Sequence, residues 1–120
     1  MADKLIYDFG IHDIKRIYFH NLREEQIKKI HFADLEEEQI YQKINNIYEK
    51  FLSYELPKIS TDFEEEGSGV KRAVINNKIT KFYNYPHPEK GKLIYIRISG
   101  HEESVNIVKN SLEKIAKEIL

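Results

Sequence analysis

Four cations and three phenols in the second half of the chain have the types and spacing to grip an anion and a flat ring together. They are Arg72, Lys81, Lys92 and Arg97 with Tyr83, Tyr85 and Tyr95. Side chains alternate across a strand, so 81, 83 and 85 share one face, and 95 and 97 share another. Basic groups track phosphates and planar rings stack bases, which is the chemistry that single-stranded or structured RNA requires. The competing reading is architectural. Tyrosine favours strands, and lysine on an edge strand discourages aggregation.

Other chemistries find less support. With no cysteine there is no thiol nucleophile, disulfide or thiolate metal site. His12, His20, His31, His87 and His101 form no HExxH or i, i+4 pair, so no metal is expected. "DFG" (8–10) matches the metal-binding triplet of protein kinases, but the glycine-rich loop, ordering lysine and catalytic loop of those enzymes are missing. "GSG" (67–69) lacks the lysine and hydroxyl of a phosphate loop and follows three glutamates that would repel phosphate. None of the six serines sits in a nucleophile-elbow pattern. The expectation is a non-catalytic binding module without a cofactor.

Those residues need elements to position them, and 120 residues suffice for one core. The formal net charge of -1 is unevenly distributed. Lysine plus arginine against aspartate plus glutamate is 5 to 12 over residues 24–66 and 7 to 1 over residues 69–99. Such a split can steer an anionic partner or be satisfied internally. No apolar run approaches the roughly 18 residues of a membrane span. The start "MADKLIYDFG" carries charges where a signal peptide would be apolar, and a cytoplasmic protein is expected.

The patterning predicts strands over "KLIYDF" (4–9) and, from its β-formers, "IKRIYFH" (14–20), although Ile14, Ile17 and Tyr18 also suit a helix. Capping boxes at Asn21/Glu24 and Asp34/Glu37 open a helix from "LREEQIKKI" and a longer one over 35–56, whose stripe is Ile40, Ile44, Ile47 and Phe51. Residues 57–69, "PKISTDFEEEGSG", have the composition of a flexible loop. Asn76-Asn77 reads as a hairpin turn pairing Val70 with Tyr83, Arg72 with Lys81 and Val74 with Ile79. That pairing opposes two cations, which calls for something negative between them: Glu64 to Glu66 of the preceding segment, solvent counterions or a phosphate. "KLIYIRIS" (92–99) is the clearest strand, and Ser99/Glu102 caps a helix on Val105, Val108, Leu112, Ile115 and Ile119.

From Leu93 onward, "LIYIRISGHEESVNIVKNSLEKIAKEI" resembles the closing strand and helix of KH domains. That likeness implies nucleic-acid binding, but the family grips four nucleotides through a GxxG loop, and the corresponding junction here reads "HFAD" (31–34). Counting residues 4–9 as a first strand gives a ββαβββα order similar to longin and roadblock scaffolds, which implies a protein adaptor or homodimer. The expected whole is one α+β domain, residues 1–120. Four or five antiparallel strands would carry the 35–56 and 101–119 helices on one face.

Overall fold

The computed structural model describes residues 4–20, 37–86 and 93–119. Five strands, β1 (Lys4–Gly10), β2 (Ser60–Gly67), β3 (Val70–Ile75), β4 (Lys78–Pro86) and β5 (Leu93–His101), form one antiparallel sheet in the order β1-β5-β4-β3-β2. Helices α1 (Ile11–His20), α2 (Glu37–Lys50) and α4 (Glu102–Ile119) pack on it. A π-helical turn, Phe51–Glu55, joins α2 to the short α3 (Leu56–Ile59).

The core lies between the helices and one sheet face. Phe9, Ala73, Ile75, Phe82, Ile96 and Ile98 supply the sheet side. Ile14 and Ile17 of α1, Ile40, Ile44 and Ile47 of α2, and Val105, Val108 and Leu112 of α4 supply the other. Phe51 in the π turn meets Phe82 at 5.8 Å between ring centroids.

The hairpin pairs as its sequence predicts, Val70 with Tyr83, Arg72 with Lys81 and Val74 with Ile79. Asn76 and Asn77 take φ of 53° and 62°, the two positive values of a primed turn, which asparagine tolerates. Asn76 Nδ2 also donates to Glu103 Oε2 at 2.8 Å, holding the turn against the start of α4. Between β4 and β5 the backbones approach so closely at Gly100 that a Cβ there would lie 2.8 Å from the Ile79 carbonyl oxygen.

Residues 11–20 form a helix, which corrects the strand expected over 14–20. Ile14 and Ile17, three apart, both enter the core, whereas a strand would have sent them to opposite faces. Asp13 secures the start of α1 by accepting the Gly10 N–H at 3.0 Å. The expected loop over 57–69 is also corrected. Residues 57–59 complete α3, Ser60–Gly67 pair with β3, and only Ser68 and Gly69 remain as the turn. The helix expected to end before Pro57 passes through it. Proline cannot donate to the Ser53 carbonyl and crowds it, and the wider π turn, closed by the Leu56 N–H donating to Phe51 O, carries the chain past. Finally, β5 runs through His101, whose Nδ1 accepts the Glu103 N–H at 3.2 Å, so His101 and not Ser99 caps α4. The helix expected from residue 22 lies outside the described residues.

Candidate functional site: the open face of the sheet

Register alone determines what shares the face away from the helices. Across the sheet, Asp8 pairs with Arg97 and Arg97 with Tyr83. One row along, Ile6, Ser99, Lys81, Arg72 and Glu64 follow in succession. The rows at either side contain Tyr95 with Tyr85, and Lys4 with His101. Arg72, Lys81, Arg97, Tyr83, Tyr85 and Tyr95 therefore stand together, as the spacing predicts. Lys92, and with it His87, lies outside the described residues. Among the described residues no helix covers this face.

Arg72, Lys81 and Arg97 each meet a carboxylate. Arg97 makes a two-pronged contact with Asp8, Nε to Oδ1 at 2.8 Å and Nη2 to Oδ2 at 3.1 Å. This contact holds the guanidinium in its charged form, above its already high ordinary pKa. Its carbon lies 5.4 Å from the Tyr85 ring centroid and 5.9 Å from that of Tyr95. Those two rings stack on each other at 4.4 Å with planes 9° apart. Glu66 bridges the opposed pair, one oxygen 3.8 Å from Arg72 and the other 3.2 Å from Lys81, and Glu64 adds a contact to Arg72 at 3.7 Å. The like-charge cost of opposing Arg72 and Lys81 is thereby relieved.

The carboxylates come from the two outer strands. Sequence reasoning misses Asp8, although its place in the alternation of "KLIYDF" puts it with Lys4 and Ile6 on the open face. It misses Ile6 too. Ile6 is 60% exposed and Ile79 is 49% exposed, with Val74 half-buried beside Ile79, so the face carries apolar side chains alongside its ion pairs.

A depression beyond β1 is lined by Asp8, Gly10, Ile11, His12, Asp13, Ile94 and Tyr95. Its carboxylates are already engaged. Asp8 holds Arg97, while Asp13 accepts from the Tyr7 hydroxyl, the Gly10 N–H and, at 3.5 Å, Arg16. Arg16 continues to Glu113 at 2.6 Å, which ties α1 to α4. This chain of contacts braces the fold behind β1. Among the described residues no group of three or more metal-ligating side chains gathers, and no helix is long and apolar enough to cross a membrane.

No protein-family model, curated protein or solved structure matches the chain.

Proposed function

We propose that the chain is a non-catalytic protein-interaction module that binds through the open face of its sheet and the β1 margin of that face. The observation that carries the reading is charge balance. Arg72, Lys81 and Arg97 are matched by Glu64, Glu66 and Asp8, so a polyanion approaching the centre of the face meets as many carboxylates as cations, with Lys4 standing apart at the β1 margin. Affinity for a phosphate backbone comes chiefly from counterions released by unpaired cations, and paired ones supply little of it. A protein surface is suited to what remains: exposed Ile6 and Ile79, rigid tyrosine rings, and ion pairs held in fixed geometry.

A second reading, binding of single-stranded or structured RNA by Arg72, Lys81, Lys92 and Arg97 with Tyr83, Tyr85 and Tyr95, has one observation in its favour. The Tyr85–Tyr95 stack with Arg97 above it is a platform on which a base could lie. Fluorescence anisotropy of a labelled single-stranded RNA separates the two, titrated at low and moderate salt beside Arg72→Glu/Lys81→Glu. The protein reading expects no saturable binding at tens of micromolar. Binding that weakens with salt and disappears in the variant overturns it in favour of RNA.

A further inference from the structure

Resting on the protein-interaction reading, we infer that the partner is a second copy of this chain, paired antiparallel along β1 about a two-fold axis at Ile6. The two edges of the sheet differ. On β2 the backbone turns to a positive φ at Asp62, the register with β3 slips twice, and Glu64, Glu65 and Glu66 follow one another, devices that keep a further strand away. On β1 seven residues pair in unbroken register with β5, and among the described residues nothing pairs with their outer side. β1 has neither a register slip nor a run of like charge, and its two exposed charges, Lys4 and Asp8, are opposite in sign.

The charges on β1 complement themselves about one point. An antiparallel two-fold on Ile6 sets Lys4 opposite the second copy's Asp8, Ile6 opposite its Ile6, and Asp8 opposite its Lys4, all on the open face. On the other face Leu5 meets Tyr7. Shifting the axis to Tyr7 would instead set Ile6 against Asp8 and Lys4 against Gly10, losing both attractions. Lys4, Ile6 and Asp8 are exposed, and Asp8 keeps acceptor capacity beyond its two bonds to Arg97. Pairing there would join the two sheets into one of ten strands, place Ile6 against its equal on a shared open face, and satisfy edge backbone groups of both copies.

Sedimentation equilibrium tests this, with a dimer expected at twice 14.3 kDa. Lys4→Glu sets a carboxylate against Asp8 at both ends of the pairing and is expected to weaken the dimer about tenfold. Asp8→Lys weakens it likewise, and mixing the two variants restores association because every cross-pair is then attractive. The chain has no cysteine, so Ile6→Cys places a lone thiol at the axis, expected to form a disulfide-linked dimer under mild oxidation while Lys4→Cys does not. Circular dichroism confirms that each variant is folded. A monomer at 100 micromolar, or a dimer indifferent to Lys4→Glu, overturns the inference. If RNA also fails to bind, the protein-interaction reading survives with a different partner, whereas salt-sensitive RNA binding removes that reading itself.

Discussion

If Glu64 and Glu66 are what neutralise the basic centre of the sheet, removing their charge should turn the face toward polyanions. Glutamine at both positions keeps side-chain length and takes two negative charges from beside Arg72 and Lys81, which they contact at 3.2 to 3.8 Å. Binding to a single strand gains about 0.7 in the slope of log K against log salt for each phosphate neutralised. Freeing two cations therefore steepens the slope by about 1.4, and fourfold more salt should weaken the added binding about sevenfold. The stability cost is small because Glu64 is two-thirds exposed and Glu66 one-third. Lost surface ion pairs and unrelieved repulsion between Arg72 and Lys81 together cost about 1 kcal/mol or less. Anisotropy of a labelled single-stranded RNA at 50 and 200 mM salt reads the slope, with a melting curve as the folding control. A folded variant with the affinity and slope of the parent would refute the charge-balance argument, because the carboxylates would then not be what governs the face.

Three further expectations concern the frame that holds the face. Asp13→Ala strands the Tyr7 hydroxyl and the Gly10 N–H, both of which donate to a carboxylate only 9% exposed, and should cost about 3 kcal/mol in urea unfolding. Tyr7→Phe in that background should then cost much less than it does alone, since its bond is already gone. Gly100→Ala pushes a methyl group to within 2.8 Å of the Ile79 carbonyl oxygen and should destabilise by about 1 to 3 kcal/mol, read as a lowered denaturation midpoint. Burial raises the Tyr48 phenol well above its ordinary value of 10.0, and its hydroxyl has no partner among the described residues. The unfolded chain therefore ionises first, so Tyr48's contribution is intact below pH 10 and is lost as pH rises beyond it. Tyr48→Phe should reduce the alkaline loss of stability by up to about 1.4 kcal/mol per pH unit and cost nothing near neutrality.

Elements whose local pattern agrees with their tertiary place were legible from the residues. In β5, Ile96 and Ile98 alternate with Tyr95 and Arg97, and the strand buries the first pair and shows the second. The Asn-Asn turn needs nothing beyond two residues that tolerate positive φ, and it sets the register that opposes Arg72 to Lys81. Where composition and period disagree, period wins. The β-formers of 14–20 suggest a strand, yet Ile14 and Ile17 are three apart and both enter the core from α1. Pro57 misleads for a related reason. A helix usually stops before proline, but with Phe51 and Leu56 both buried, continuing through a π turn keeps apolar area out of water that stopping would expose.

The basic and tyrosine members of the open face were legible as well, and so was the need of Arg72 and Lys81 for the nearby glutamates, whereas Asp8 as the partner of Arg97 was not, because that contact depends on which strand lies beside which. Glu64 to Glu66 read as loop because three glutamates in a row are poor strand formers with no apolar face to bury. They form an edge strand where β3 and β4 present two opposed cations, so a segment unfavourable by itself is favourable against Arg72 and Lys81. The dependence runs both ways. Without β2 the Arg72–Lys81 pair would repel, and that pair in turn adds ion pairs to the backbone pairing that holds β2 on β3. One set of contacts thus closes that edge, neutralises the face beside it, and leaves β1 as the margin still able to take another strand.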